Sequence, residues 1–258
     1  MTVASPSAGT SSAASRTRRA PAPPRWFLSL RSPYSWLALH DAVTRYPELV
    51  GACRWSVFFE PSAATAQAMS AEGITFPYVA MSRAKHLYIL RDVGRLCAER
   101  GLVPTWPQDR DPEWETASLA VVRARELGTG QELDLAVRLT RARWQEGRDI
   151  TTAAVVRDCV RECGLPDEVS EGDPEASRAL ALAELRDVAD AGVFGVPFLV
   201  VGRQPFWGLD RLRAAADEFE RTRAAGAASG PTPAPPAVLS DSGAPERSLD
   251  GGHAGGCG

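Results

Sequence analysis

Short apolar stretches of strand length stand near the two ends of a chain whose middle has the period of helices. Trp26–Leu30 and Cys53–Phe59 read as strands, the second alternating through Arg54 and Ser56. A helix is predicted between them, from Pro33 to Tyr46. Pro33 suits its first position, where a missing N–H costs nothing, and Pro47 stops it. Glu60-Pro61 ends the second strand, and the pattern from about 62 to 191 then predicts five helices. The first, Val79–Arg100, carries Leu87, Leu90, Val93 and Cys97 near one face and stops at Gly101. Trp114–Leu127 and Gln131–Gln145 follow. The fourth is capped by Thr151 or Thr152 and ends at Gly164; the fifth opens at Asp173-Pro174 and ends at Gly192. Phe198–Val201 and Pro205–Trp207 read as two short strands, and Leu209–Arg223 as a closing helix.

The order is strand, helix, strand, a block of helices, then strand, strand, helix. It predicts an α/β protein, a thioredoxin-like fold with an inserted all-helical domain. The α/β part comprises residues 25–61 and 192–223, and the insertion residues 62–191. Residues 1–24 are Ala, Ser, Thr, Pro and Arg-rich without an acidic residue or an apolar h-region, which predicts a disordered tail rather than a secretory signal. Residues 224–258, rich in Ala, Gly, Ser and Pro, predict a second one.

A net charge of −3 offers no electrostatic basis for binding nucleic acid, and no apolar run reaches the length of a membrane span. The cysteines are Cys53, Cys97, Cys159, Cys163 and Cys257, with no Cys-x-x-Cys among them. With only His40, His86 and His253 to add, no metal site is expected. Reduced, mostly buried thiols predict a cytoplasmic protein.

The chemistry concentrates in two segments. Ser32-Pro33-Tyr34-Ser35 opens the first helix, and Gly195-Val196-Pro197 precedes the third strand. A helix N-terminus presents unpaired N–H groups and a positive dipole end, which stabilise a thiolate. A disulfide oxidoreductase carries Cys-x-x-Cys at such a turn; here both positions are serine. Ser32 therefore reads either as a plain N-cap or as a donor of a hydrogen bond to a sulfur anion brought by a small thiol. Ser35 reads as a first-turn residue facing solvent. Asp210 suits the start of the last helix, as a cap or as a ligand contact. Tyr34 and Trp207 suit the wall of an aromatic pocket or the core. Lys85, the only lysine, reads as a solvated side chain or as a partner for a substrate carboxylate.

Ser32-Pro-Tyr-Ser-Trp-Leu, Asp149-Ile-Thr, Gly192-Val-Phe-Gly-Val-Pro and Phe206-Trp-Gly-Leu-Asp-Arg occur in the order and spacing of the kappa-class glutathione transferases and 2-hydroxychromene-2-carboxylate isomerases. The chain resembles that family, within the DsbA-like superfamily, over nearly all of residues 25–223. The resemblance implies that Ser32 donates a hydrogen bond to the glutathione thiolate and that a cis Val196–Pro197 bond holds the cysteinyl part. It further implies that Asp210, with the backbone of Leu209, meets the γ-glutamyl end. The implied substrate is a small aromatic electrophile, and the implied assembly a homodimer. In the isomerase version, the thiolate adds reversibly to a conjugated double bond, the ring opens, a bond rotates and the thiol leaves. The chain departs from the family pattern at Leu209, where a polar residue is usual, and in Ala71–Pro77, which lacks the family's Asn and has Ile74. These departures leave glutathione and other low-molecular-weight thiols, such as mycothiol, as alternatives. Two rival readings are a DsbA-like thiol-disulfide oxidoreductase and a non-catalytic ligand-binding relative.

Overall fold

The structure, a computed structural model, describes residues 22–77 and 81–228. Four strands, β1 (Arg25–Leu28), β2 (Arg54–Val57), β3 (Phe198–Val201) and β4 (Gln204–Trp207), form one sheet in the order β2-β1-β3-β4. β2 lies parallel to β1, while β3 and β4 run antiparallel to their neighbours. Between and after them lie α1 (Pro33–Arg45), α2 (Pro47–Ala52), α3 (Ala63–Ala71), α4 (Arg83–Glu99), α5 (Trp114–Glu126), α6 (Glu132–Trp144), α7 (Ala153–Glu162), α8 (Pro174–Asp190) and α9 (Leu212–Ala228). Single 3-10 turns occupy Asp167–Val169 and Leu209–Arg211. This is the thioredoxin-like α/β fold with a helical insertion. Among the described residues, no helix is long and apolar enough to cross a membrane.

Side-chain alternation divides the sheet's two faces. Trp26, Leu28, Trp55, Val57, Leu199 and Val201 pack into the main core with residues of α1 and α9. Phe27 and Phe198 turn to the other face and meet Val188 of α8 and Val193. Aromatic pairs bind neighbouring strands on both faces: Trp26 stacks on Trp55 at 4.7 Å, and Phe27 meets Phe198 edge-on at 6.3 Å.

The outer edge of β2 is sealed by the insertion. Arg54 and Phe58 donate their N–H groups toward the β1 side, to Pro24 and Leu28. Val57 N–H and the Trp55 carbonyl therefore point outward. Glu184 of α8 accepts from Val57 N–H at 2.7 Å, and Arg125 of α5 donates to the Trp55 carbonyl at 2.8 Å. The same two side chains pair with each other at 2.8 Å, and Glu184 is buried. A strand edge that would otherwise be open is thus closed by a charged pair.

Most helix ends fall where the punctuation placed them. Thr152 and Asp173 are N-caps, and Asp173 accepts from the N–H groups of Glu175 and Ala176. Four boundaries differ. Pro47 ends α1 but is also the first residue of α2, which resumes at once. α3 has no apolar stripe strong enough to announce it, although Thr65 and Met69, four apart, are buried. The start predicted at Val79 lies outside the described residues, and α4 begins at Arg83 with Ser82 accepting from Lys85 N–H. The closing helix, expected from Leu209, begins at Leu212 after a 3-10 turn that holds Asp210 and has no side-chain cap, and it continues past Arg223 to Ala228. Of the predicted tails, residues 1–21 and 229–258 lie outside the described residues.

Replacing Arg125 with Met leaves the Glu184 carboxylate buried without its cation. Urea unfolding of Arg125→Met is expected to show a loss of about 3 kcal/mol, the range for one stranded partner of a buried pair. A variant as stable as the native chain would refute the sealing role of this pair.

Candidate active site

The turn that delivers α1 is held from several sides. Ser32 N–H donates to the Ser29 carbonyl at 3.0 Å. The Leu30 carbonyl accepts from the Trp144 indole at 3.3 Å, and Trp144 stacks on Trp36 at 6.2 Å. Ser35, expected to face solvent, is instead fully buried, and its hydroxyl accepts from Ser29 N–H at 3.2 Å. A short polar side chain in the first turn lies close enough to the end of β1 to satisfy a backbone donor there. Ser32 caps the helix, its hydroxyl accepting from Ser35 N–H at 3.2 Å. Pro33 has no N–H, and Trp36 N–H donates to the Ser32 carbonyl. Tyr34 is therefore the first-turn residue whose N–H has no partner among the described residues.

A cavity of about 500 Å³ runs beside α1. Its walls include Tyr34, Asp41 and Arg45 from α1, Asp92 from α4 and Arg100, which caps the end of α4. The Val196–Pro197 loop and the segment from Trp207 to Arg213 close the other side. The Val196–Pro197 bond is cis. Gly208 N–H donates to the Pro197 carbonyl at 2.9 Å, tying the loop to the end of β4. Gly208 has φ +105, and a side chain there would also strike the Asp210 carboxylate. At Gly195 a Cβ would stand 2.7 Å from the Trp207 indole nitrogen, so the indole lies directly over the glycine backbone. Phe194 packs edge-on against Trp207 at 5.0 Å, and both rings are more than half exposed.

Two polar links hold α4 against α1. Tyr34 donates its phenol proton to Asp92 at 2.8 Å; Tyr88 and Arg95 also donate to Asp92. Two helical turns further along both helices, Arg100 grips the buried Asp41 with two hydrogen bonds of 2.9 and 2.7 Å. The links come in the same order along both helices, so α1 and α4 run side by side in the same direction. Leu37, Val93 and Cys97 pack between them. Burial, then the hydrogen bond to Asp92, pushes the Tyr34 phenol well above its ordinary pKa. Burial works to raise the Asp92 carboxyl, but the bonds from Tyr34 and Arg95 outweigh it and hold it below the usual carboxylate value.

Of the residues singled out from the sequence, Tyr34, Val196, Pro197, Trp207, Leu209 and Asp210 all line this cavity. Ser32 sits half-buried two residues before Tyr34 and is not part of the lining. Lys85 stands exposed in the first turn of α4, away from the cavity. Asp41, Arg45, Arg100 and Arg213 line it without having been singled out. The available signal was the spacing of four between Asp41 and Arg45, which gives one helix face, but nothing local says what that face meets.

The described cysteines, Cys53, Cys97, Cys159 and Cys163, are unpaired thiols. Burial raises all four, Cys53 to about 12 and Cys159 to about 11. Cys257 lies outside the described residues.

A helix start facing a cis-proline loop on a four-stranded α/β sheet defines a thioredoxin-like protein. The DSBA-like thioredoxin domain family matches residues 25–220, and the chain belongs to that family. A 2-hydroxychromene-2-carboxylate isomerase has a similar structure, with a TM-score of 0.59 and 19% identity over 80% of this chain and 98% of that one. A putative protein disulfide isomerase from Nitrosomonas europaea is similar at a TM-score of 0.54 and 16% identity, over 77% of this chain and 98% of that one. The cytosolic disulfide reductase DsbM from Pseudomonas aeruginosa, solved with GSH, is similar at 0.51 and 18%, over 78% of this chain and 95% of that one. No curated protein matches the chain.

The lowered Asp92 carboxyl gives a signed pH dependence. Its contribution to stability is complete above the unfolded value, about 3.9, and is lost as pH falls through the lower folded value. Asp92→Asn is expected to cost about 1 kcal/mol or less at pH 7, and less again at pH 3. Paired urea titrations at the two pH values check this; a cost that grows on acidification would contradict the assignment.

Proposed function

We propose that the protein binds a low-molecular-weight thiol, glutathione or a relative of it, at the start of α1. With that thiol it isomerises a small aromatic electrophile of the 2-hydroxychromene-2-carboxylate type, or joins the two as a kappa-type transferase does. The observation that carries this reading is serine at both positions of the turn, on a helix start that faces a cis-proline loop. Ser32 already accepts a hydrogen bond from Ser35 N–H, so its own proton is available to a sulfur anion. Tyr34 N–H is a second donor without a partner among the described residues. Val196 makes no main-chain hydrogen bond among the described residues, which suits it to pair with an extended ligand backbone.

These groups fit a thiol. Ser32 and Tyr34 N–H would hold the sulfur as its anion, Val196 its cysteinyl backbone, and Asp210 an amino group. When bound, the thiol supplies a nucleophilic sulfur that adds reversibly to a conjugated double bond and is returned unchanged. The chain's own part is to hold that sulfur deprotonated at a positive helix end and to orient the electrophile beside Trp207 and Tyr34. Similarity to a 2-hydroxychromene-2-carboxylate isomerase and to a disulfide reductase solved with GSH supports the choice of thiol and substrate class. Against disulfide exchange stand the two serines and the raised thiols of the described cysteines.

Calorimetric titration with glutathione, and in parallel with mycothiol, tests the reading. One of the two is expected to bind, and Ser32→Ala to weaken that binding about tenfold, the worth of a hydrogen bond to a charged group. Binding of neither thiol would overturn it. In an insulin-reduction assay the protein is expected to give no turnover above the uncatalysed rate, and reduction at an oxidoreductase's rate would restore the disulfide-exchange reading.

A further inference from the structure

The cavity beside α1 has three carboxylates and three guanidinium groups in its walls, but they are not equally engaged. Asp41 is gripped by Arg100, whose remaining terminal nitrogen donates to the Leu96 carbonyl at 2.8 Å. Asp92 is met by Arg95 and two phenols, and Asp210 has Arg211 at 3.4 Å. Arg45 and Arg213 are left with marginal partners. Arg45 comes no nearer than 3.7 Å to Asp41, which Arg100 already holds. Arg213 stands 3.9 Å from Asp217, and both of those side chains are more than two-thirds exposed. Exposed pairs at such distances contribute little. Two largely exposed arginines thus line one cavity, one from the end of α1 and one from the first turn of α9, and neither has a carboxylate closer than 3.7 Å. The positive end of α9 adds to that field. The partial negative end of α1 opposes it, and Arg45 itself stands over that last turn.

We infer that Arg45 and Arg213 form a specificity subsite, at the end of the cavity reached by the last turn of α1, that selects ligands carrying a carboxylate. The inference rests on the reading of this cavity as the ligand site and goes beyond the groups that hold the sulfur. Arginine suits the task because its planar fork meets both oxygens of a carboxylate. The carboxylate can belong to the thiol or to the aromatic electrophile, and the two sources are separable by experiment.

The test titrates the full chain with acid and ester forms of two probes: glutathione against its diethyl ester, and 2-hydroxychromene-2-carboxylate against its methyl ester. The acid of at least one pair is expected to bind about tenfold more tightly than the ester, the worth of one charge-assisted hydrogen bond. The preference should fall as salt rises. Arg45→Gln with Arg213→Gln should abolish it, and Arg45→Lys should restore part. The pair that shows the preference identifies the source. Equal binding of acid and ester, a preference that survives the double substitution, or no binding of either acid would overturn the inference. Failure of the thiol reading has a different signature. If the chromene acid binds through the two arginines while neither glutathione nor mycothiol binds, the subsite stands and the thiol reading falls. If a thiol binds in a Ser32-dependent way without any acid preference, the reverse holds.

Discussion

The pair Arg125–Glu184 closes an open sheet edge and in doing so decides how two distant parts of the chain fit together. β2 is one of the two edge strands, and its outward N–H and C=O groups need partners. They find them in side chains from α5 and α8, helices that belong to the middle of the sequence. Burying two charges is costly unless each is paired and hydrogen-bonded, and here each charge meets the other and the strand. The helical block is therefore set relative to the sheet by directional bonds as well as by apolar contact. α4, which contributes to the cavity, is tied instead to α1.

Within that frame the site is made by two helices lying side by side. Tyr34 with Asp92, and Asp41 with Arg100, fix α4 along α1 at two points separated by two turns. Between these points lies packed apolar contact, and outside it lies the cavity. The opposite wall is rigid for other reasons: Gly208 adopts a conformation that side chains avoid, and its N–H secures the loop of Pro197. Both walls are thus set by polar bonds before any ligand arrives, which is what a site that positions reactants requires.

The fold was legible wherever the chain carries its own punctuation. Asp173-Pro174 announces α8 because an acceptor side chain and a preset φ act locally, and Phe198–Val201 announces β3 because branched apolar residues fill a two-sided strand. α2 escaped because a proline that ends one helix can equally begin the next. α3 escaped because its sequence is alanine-rich and nearly uniform in polarity. At the site, the cis-proline loop and the start of α1 were legible because their motifs are contiguous. Asp41, Arg45, Arg100 and Arg213 were not, since each looks like a solvated helix charge until three separate helices converge. The burial of Ser35 is of the same kind: its partner, Ser29, lies only six residues away, yet only the bend of the turn brings them together.

Ser35 also constrains what this turn can become. Its oxygen is the acceptor for a backbone N–H at the end of β1, inside the core. Sulfur is a weaker acceptor and a larger atom, so a cysteine at that position would strain the brace beneath the helix start before it could serve in any redox cycle. The hydroxyl of half-exposed Ser32 bonds only within its own first turn and carries no such obligation. The two serines are therefore unequal as starting points for divergence. A one-thiol turn is a single substitution away, whereas paired cysteines would also replace the buried acceptor of Ser29 N–H.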